Sequence, residues 1–208
     1  MNKDIKIILP DAIKEIFGVI REYGSKAYIV GGSVRDSIMG RPVHDWDICT
    51  PVTINEIFAL FETEGYKVIP TGIQHGTVTV MIDGVGYEIT TYRRDGEYSD
   101  GRHPDSVEFT SNLVEDLSRR DFTINAMAYN EEDGLIDPFN GLEDIEDRFI
   151  RCVGDPTERF NEDALRILRA IRFASQLQFA ITGKTDSTLH RMYGNLENVS
   201  IERINSEF

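Results

Sequence analysis

Hydrophobic residues in the first third of the chain recur at the spacing of a helix face. Residues 11–23 place isoleucine and phenylalanine three or four positions apart, with polar residues between them. Residues 53–64 repeat the pattern, and Thr53 and Glu56 match the capping box with which many helices begin. The pattern therefore predicts amphipathic helices over both ranges.

Further along the chain the spacing changes to strict alternation, which is typical of strands. Residues 77–82 and 85–92 alternate on either side of Asp83-Gly84, a dipeptide typical of hairpin turns. Shorter apolar stretches predict two more strands, over residues 26–30 and 45–50. We therefore expect a small mixed sheet that includes one hairpin.

The last part of the chain has a different character. From about Ser118 the pattern is helical, with a turn at Asp137-Pro138, and the last clear helix covers residues 161–178. These elements predict an α+β fold, in which a mixed sheet flanked by helices occupies residues 1–145 and an all-helical domain occupies residues 146–208.

Composition places the chain among ordinary globular proteins. It has 208 residues, of which 28% are charged and 40% hydrophobic, and no apolar run approaches the length of a membrane span. The first residues lack the apolar core of a signal peptide. Cys49 and Cys152 form neither a zinc pattern nor a disulfide framework, so we expect a cytoplasmic protein without a membrane partner.

The charge balance argues against a protein that coats nucleic acid without specificity. The formal net charge is −14, whereas such proteins are normally basic. The stretch from Arg148 to Arg172 is locally basic, with six arginines and four acidic residues. A polyanionic partner would have to bind to this stretch, or bind through a metal ion that is held by carboxylates.

A first candidate for chemistry is the glycine pair Gly31-Gly32, which lies between a predicted strand and a predicted helix. Two glycines allow a ligand close to the backbone, and a helix that begins there offers N–H groups to a phosphate. Ser33 follows, and Arg35 could add a charged clamp. For a bare glycine pair, a plain strand-to-helix turn is the better explanation.

A second candidate is the pair of carboxylates Asp45 and Asp47. On the predicted strand these residues share one face, while Trp46 and Ile48 give it a buried opposite face. Carboxylate oxygens suit Mg²⁺, which takes substrate phosphates as further ligands. Glu88, on a strand of the hairpin, is a candidate third carboxylate for a two-metal site; a glutamate that merely faces solvent is as good an interpretation.

Four ordered motifs are spread over about residues 28–174. They are Gly31-Gly32-x-Val34-Arg35-Asp36 with Asp45-x-Asp47; Thr71-Gly72-x-x-His75-Gly76-Thr77-Val78 with Glu88-x-Thr90-x-Tyr92-Arg93; Arg119-Arg120-Asp121-Phe122-Thr123-Ile124-Asn125-Ala126; and Arg159-Phe160-x-Glu162-Asp163-Ala164-Leu165-Arg166. Together they resemble the motifs of the class II tRNA nucleotidyltransferases and bacterial poly(A) polymerases. The resemblance implies a nucleotidyltransferase head followed by a helical neck, and an enzyme that adds C, C and A to tRNA, or A to RNA, without a template.

The resemblance also implies roles for individual residues. Asp45 and Asp47 would bind magnesium with Glu88 as the third catalytic carboxylate, and Gly31, Gly32, Ser33 and Arg35 would hold the triphosphate. In the later motifs, Asp121 and Asn125 would contact the ribose, Arg120 would also bind the nucleotide, and Asp163 and Arg166 would read the base. Arg169 follows Arg166 at a helical spacing of three and could meet phosphates. Without the motifs, a buried capping pair is the better explanation of Asp121 and Asn125, and a surface ion pair is the better explanation of Asp163 and Arg166. A solvated helix face would also explain Arg169.

Specificity is left more open. Residues 93–109 resemble the family's flexible loop at full length, which favours an enzyme that uses both CTP and ATP on tRNA. Within the family the alternatives are a bacterial poly(A) polymerase and an enzyme that adds only A, and outside it the alternative is a non-catalytic nucleotide- or RNA-binding module. In the family further helical domains follow the neck, so we expect the neck to be truncated here and affinity for RNA to be weak.

Overall fold

The computed structural model describes residues 5–73, 76–96 and 106–207, and the chain divides into two compact units. Unit 1 comprises Met1–Arg94, Glu108–Leu117 and Met127–Asp137. Unit 2 comprises Asp95–Val107, Ser118–Ala126 and Pro138–Phe208. The chain thus alternates between the units, and the expected domains 1–145 and 146–208 stay predictions.

Strands and helices mix through the first two-thirds of the chain, and helices dominate the last third. The strands are β1 (Tyr28–Val30), β2 (Ile48–Thr50), β3 (Lys67–Gly72), β4 (Thr77–Ile82), β5 (Val85–Thr91), β6 (Arg93–Asp95), β7 (Val107–Phe109), β8 (Ala128–Asn130), β9 (Gly134–Ile136), β10 (Phe149–Ile150) and β11 (Ala180–Ile181). The helices are α1 (Asp11–Glu22), α2 (Gly32–Ile38), α3 (Ile54–Thr63), α4 (Leu113–Ser118), α5 (Gly141–Asp147), α6 (Pro156–Glu162), α7 (Leu165–Leu177), α8 (Gly183–Met192) and α9 (Ile201–Ser206). Short 3-10 helices cover Thr123–Asn125 and Tyr193–Asn198.

Unit 1 is built on one mixed sheet, which has seven strands among the described residues. Their order is β3-β4-β5-β2-β1-β8-β9. Only β2 and β5 in this sheet run parallel, and the other neighbours pair antiparallel. The sheet packs against helices whose buried faces carry isoleucine and phenylalanine. This arrangement confirms the predicted α+β class.

Elements that depend on nearby residues form as predicted. Helix α1 buries Ile13, Ile16 and Ile20 completely. Helix α3 begins with the predicted capping box, in which Thr53 N–H donates to Glu56 at 2.9 Å. Asp83 and Gly84 both have positive φ, of 50° and 81°, as the two central residues of a type I′ hairpin turn require.

Three predicted elements are wrong in part. The strand expected over residues 45–50 begins only at Ile48. The helical pattern expected from Ser118 gives way to a 3-10 helix and the strands β8 and β9, because β8 pairs with β1 in the sheet. The helix expected over residues 161–178 is split into α6 and α7 at Asp163, which has an extended backbone.

Unit 2 is mainly helical, and one short parallel pair, β10 with β11, joins two of its segments. Helices α8 and α9 follow α7, although the pattern near the end of the chain predicts little structure. Among the described residues, no helix is both long and apolar enough to cross a membrane.

Candidate functional site

The two predicted metal ligands lie just before strand β2 rather than on it. Asp45 and Asp47 are both exposed, and they belong to a segment without assigned secondary structure. The N–H of Val30 donates to the carbonyl oxygen of Asp47 at 3.0 Å, so the main chain there is still fixed to β1. The prediction of two carboxylates on one strand is therefore wrong in its placement, but both reach solvent from an anchored segment.

Glu88, the predicted third carboxylate, lies on β5, next to β2 in the sheet. The parallel register pairs Ile48 with Ile89, both of which are buried. Asp47 and Glu88 each precede one of these isoleucines, and both are exposed. Successive side chains on a strand point to opposite faces, so Glu88 leaves β5 on the side opposite Ile89, while Asp47 lies next to the paired register position just before β2.

The three predicted acids do not form a complete metal-binding cluster by themselves. Within the part of the chain that the structure describes, no three His, Cys, Asp or Glu side chains come together closely enough to hold a metal ion. Mg²⁺ usually binds through one or two carboxylates and completes its shell with water and substrate phosphates. Asp45 and Asp47 fit such a donor set, whereas the part of Glu88 stays a prediction.

The glycine pair forms the predicted junction between β1 and α2. Gly31 has φ 72° and ψ −133°, a conformation that in practice only glycine adopts. Its N–H donates to the carbonyl of Met127 at 3.3 Å. The Ser33 hydroxyl donates to the carbonyl of Val30 at 2.9 Å, which closes the turn internally. Ser33 therefore has a structural contact, and the predicted contact with a ligand stays untested.

Arg35 lies in this junction with only 8% of its surface exposed. Its Nε and one terminal nitrogen donate to the two carboxylate oxygens of Asp36, at 3.0 and 2.8 Å. The guanidinium also lies against Gly32, where an added Cβ would be 3.5 Å from a terminal nitrogen. Asp36 thus holds the cation beside the glycine turn.

The predicted ribose-contacting residues belong to unit 2. Asp121 and Asn125 are both buried, and they do not share a helix face, because the backbone is extended at Phe122 and turns as a 3-10 helix over Thr123–Asn125. The structure still brings the two together: the Asn125 amide donates to Asp121 Oδ1 at 3.2 Å. Arg120, the third predicted residue, is half-buried beside them in the chain.

Asp121 also forms an ion pair with Arg169. The second carboxylate oxygen, Oδ2, accepts from Arg169 Nε at 2.9 Å and from a terminal nitrogen at 2.8 Å. Burial raises the pKa of Asp121, but the charges of Arg169 and Arg166 and the hydrogen bonds from Arg169 and Asn125 outweigh it, so the pKa lies below its ordinary value. Arg169 therefore serves this carboxylate, whereas the sequence predicts a contact with phosphates.

The predicted base-reading pair is also held by other residues. Asp163 lies in the break before α7, where Oδ1 accepts from the Leu165 N–H at 3.0 Å and Oδ2 accepts from Arg203 at 2.8 Å. Arg166 donates to Glu162 and, at 3.0 Å, to the carbonyl of Arg119. The two are therefore not on one helix face as predicted, and each is oriented by its own partner.

Two supporting residues near the end of the chain are missed by sequence reasoning. Arg203, on α9, pairs with Asp163. Glu207 is 8% exposed and accepts from Arg172 at 2.7 Å and from Arg169 at 3.5 Å. Their one visible signal is an arginine and a glutamate four positions apart, a common spacing on solvated helices, so the pattern alone does not reveal their partners.

The predicted flexible loop is described only at its ends. Strands β6 and β7 form a two-stranded pair, and Gly96 N–H donates to the Ser106 carbonyl at 2.8 Å. A Cβ on Gly96 would lie 2.5 Å from the Ser106 hydroxyl and 3.1 Å from the Ser106 carbonyl oxygen, so a larger residue there would have to displace the Ser106 side chain. Residues 97–105, on which the expected role in nucleotide choice depends, lie outside the described residues.

Comparison with known proteins gives consistent matches along the chain. The CCA-adding enzyme of Leuconostoc citreum is 51% identical over 189 residues, which cover 91% of this chain and 46% of that protein. The crystal structure of the Bacillus stearothermophilus CCA-adding enzyme in complex with CTP superposes with a TM-score of 0.84 at 42% identity, covering 96% of this chain and 48% of that one. A tRNA nucleotidyltransferase complexed with a primer tRNA and an incoming ATP analog gives a TM-score of 0.76 at 38% identity, covering 92% and 54%.

The chain thus spans about half the length of the curated relatives it matches. The model of the poly A polymerase head domain matches residues 27–151, which include the glycine turn, Asp45, Asp47, Glu88, Asp121 and Asn125. Since this match covers more than half of the chain, the protein belongs to the poly A polymerase head domain family.

Proposed function

We propose that this chain is the catalytic part of an RNA 3′-end nucleotidyltransferase that adds C, C and A to tRNA from CTP and ATP without a template. The observation that carries the proposal is 47–51% identity, over at least 91% of the chain, to proteins named CCA-adding enzyme. Asp45 and Asp47 are both present and exposed, as a catalyst requires and a binding module does not. Cytoplasmic location follows as part of the proposal, because tRNA is the substrate.

Asp45 and Asp47 would hold the divalent cation, with magnesium as the proposed ion. When bound, such a cation promotes loss of the proton from the primer 3′-hydroxyl and neutralises the triphosphate. The contribution of the chain is an anchored pair of carboxylates, because the Val30–Asp47 hydrogen bond limits the movement of this segment. We propose Glu88, at the neighbouring register position, as the third acid.

The reaction is an in-line displacement at the α-phosphorus. The 3′-oxygen of the primer forms a bond to that phosphorus, and the bond to the departing pyrophosphate breaks. We propose that Gly31, Gly32 and Ser33 admit the triphosphate close to the main chain and that Arg35 offsets its charge. Asp36 already holds the Arg35 guanidinium, so little side-chain freedom is lost when the nucleotide binds.

Residues of unit 2 would select the nucleotide. We propose that Arg120, Asp121 and Asn125 position the ribose, with Arg169 supporting Asp121. Asp163 and Arg166 would read the base: cytosine and adenine each offer an exocyclic amine donor and a ring-nitrogen acceptor, which suit a carboxylate and a guanidinium. Guanine and uracil present a carbonyl and an N–H there, which would leave groups of the protein unpaired.

The test is transfer to a tRNA that ends immediately before CCA. The 208-residue chain is incubated with this tRNA and labelled CTP alone, ATP alone, or both. We expect two C additions with CTP, one further A only when both are present, and no product after chelation of divalent ions. Nucleotide binding without a product would instead identify a binding module.

A poly(A) polymerase is the second candidate, and the matched family model carries that description. Such an enzyme would add many A residues to an RNA that does not end in CC, and would not need CTP. The same assay with an unstructured RNA primer and ATP therefore separates the two: a ladder of A additions favours the polymerase, and a lack of extension favours CCA addition.

A further inference from the structure

A buried carboxylate in unit 2, Asp144, has no role in the function proposed above. It is 2% exposed and lies on α5. The Thr123 hydroxyl donates to its Oδ2 at 2.6 Å, and Arg151 Nε donates to its two oxygens at 3.0 and 2.9 Å. The carboxylate is therefore satisfied by one hydroxyl and one cation from two other segments of the unit.

The two partners of Asp144 come from segments that are themselves paired. Phe122 and Cys152 form an antiparallel bridge. On either side of it, Thr123 N–H donates to the Arg151 carbonyl at 2.9 Å, and Val153 N–H donates to the Asp121 carbonyl at 3.1 Å. Asp144 thus adds a side-chain cross-link at one end of this short ladder.

That end is where the 3-10 helix begins. The Asn125 N–H donates to the Phe122 carbonyl at 2.9 Å, and the Ala126 N–H donates to the Thr123 carbonyl at 3.0 Å. The Asn125 amide then reaches back to Asp121 at 3.2 Å. Holding the Thr123 side chain therefore limits the movement of the turn that aims Asn125 at Asp121.

Arg151 supplies the cation of this cross-link. The hydrogen bond to Asp144 raises the pKa of Arg151, although burial opposes it. The guanidinium remains half exposed, with 52% of the side chain accessible, whereas the carboxylate is almost fully enclosed. A carboxylate that is buried, paired and bonded to a turn is suited to fix the geometry of that turn.

We propose that Asp144, acting through Thr123, is a positioning residue that holds Asp121 and Asn125 in the arrangement needed to recognise the ribose. This inference rests on the proposed function, since it assigns a supporting residue to the same nucleotide site. It also predicts which substrates are sensitive: nucleotides with a 2′-hydroxyl lose a contact when the turn loosens, and 2′-deoxynucleotides do not.

The test compares CTP with 2′-deoxy-CTP in the wild type, Thr123→Val, Thr123→Ser and Asp144→Asn. We expect Thr123→Val to lower the CTP to deoxy-CTP ratio of kcat/KM by roughly fivefold, the size expected for one lost hydrogen bond, through a higher KM for CTP. Asp144→Asn should also lower this ratio. Thr123→Ser retains the hydroxyl and should therefore keep the wild-type ratio. Thr188→Val, a buried threonine on α8, is the matched control and should keep the wild-type ratio.

Amide hydrogen exchange provides a readout that does not need the reaction. Thr123→Val should speed exchange at Asn125 and Ala126, while amides of α7 keep their protection. Unchanged exchange together with an unchanged ratio would overturn the inference and leave the proposed function intact. A wild type that transfers no nucleotide would overturn the proposed function, and exchange at Asn125 would still decide whether Asp144 holds the turn.

Discussion

The two units present their candidate site residues in opposite ways. In unit 1, Asp45, Asp47 and Glu88 are exposed. In unit 2, Asp121 is buried and paired with Arg169, and Asp163 is paired with Arg203. A carboxylate that meets a hydrated cation must remain accessible. A side chain that reads a hydrogen-bonding edge must instead be held in one orientation, since its selectivity depends on groups left unsatisfied by the wrong partner.

This contrast separates activity from stability. Removal of an exposed acid leaves no buried charge behind, so the fold should tolerate it. Removal of a buried acid leaves its cationic partner without compensation, so the fold itself is weakened. Replacing an acid should therefore lower activity but not stability in unit 1, and should lower stability in unit 2.

The largest effect is expected in unit 1. Asp45→Ala or Asp47→Ala should lower the rate of nucleotide transfer by at least about a thousandfold, since loss of a metal ligand removes several kcal/mol of transition-state stabilisation. The melting temperature should stay close to the wild-type value. The measurements are single-turnover transfer of labelled CTP to tRNA and thermal unfolding.

Asp11→Ala is the matched control, because Asp11 is a fully exposed acid of the same unit. It should retain wild-type transfer. Turnover near the wild-type level in Asp45→Ala or Asp47→Ala would exclude these residues as metal ligands, and a large fall in melting temperature would remove the contrast between the units.

The next effect is expected on the stability of unit 2. Asp121→Ala should destabilise the protein by about 3 kcal/mol, at the low end of the range for buried ion pairs because Arg169 keeps Glu207 as a second partner. For a chain of this length that corresponds to a fall in melting temperature of roughly 6–12 °C. Thermal unfolding of this variant beside Asp47→Ala tests the contrast, which an equal melting temperature for the two variants would refute.

The third effect is expected on the choice of base in unit 2. Asp163→Ala and Arg166→Ala should lower the kcat/KM ratios of CTP over UTP and of ATP over GTP by roughly tenfold, because the penalty for unpaired groups disappears with the side chain. Dependence on magnesium should not change. Arg191→Ala, which removes an exposed arginine from α8 in the same unit, is the control.

If both ratios keep their wild-type values while overall activity falls, Asp163 and Arg166 are structural residues. The ion pairs with Arg203 and Glu162 would then be the reason that the chain carries them. Base selection would have to be sought elsewhere in the chain.

Local signals made much of unit 1 predictable. The capping box at Thr53 and the Asp83-Gly84 turn act within a few residues, so the sequence places both correctly. The local pattern predicts helix where β8 forms, because the pairing of β8 with β1 joins residues about a hundred positions apart and local spacing does not show it. The pattern also predicts Asp45 and Asp47 on a strand, because alternation alone does not show where the paired part of β2 begins.

The candidate site in unit 2 shows more clearly what the sequence pattern cannot predict. The motifs identify Asp121 and Asp163, but not what holds them. The Asp163 side chain accepts from the Leu165 N–H, and so a helix begins where the pattern predicts an uninterrupted one. Arg203 lies 40 positions from Asp163, in a stretch of weak periodicity. Partners of this kind follow from tertiary packing, and the sequence pattern does not contain them.

The smallest expected effect is the pH dependence of the stability that the Asp121 carboxylate provides. Its pKa is lowered in the folded protein, where the charges of Arg169 and Arg166 outweigh burial. A lowered pKa means that this carboxylate stabilises the fold fully at pH values above the unfolded pKa of about 3.9, and that the stabilisation is lost as the pH falls through the folded value. The melting temperature of Asp121→Asn should therefore lie below that of the wild type by a constant amount between about pH 7 and 5, and the gap should close below about pH 4. Thr188→Val has no titrating group at its position, so its gap to the wild type should not depend on pH. If the difference in melting temperature for Asp121→Asn stays constant down to pH 3, the charge of Asp121 adds nothing to the stability of the fold. The ion pair with Arg169 would then not be what distinguishes unit 2 from unit 1.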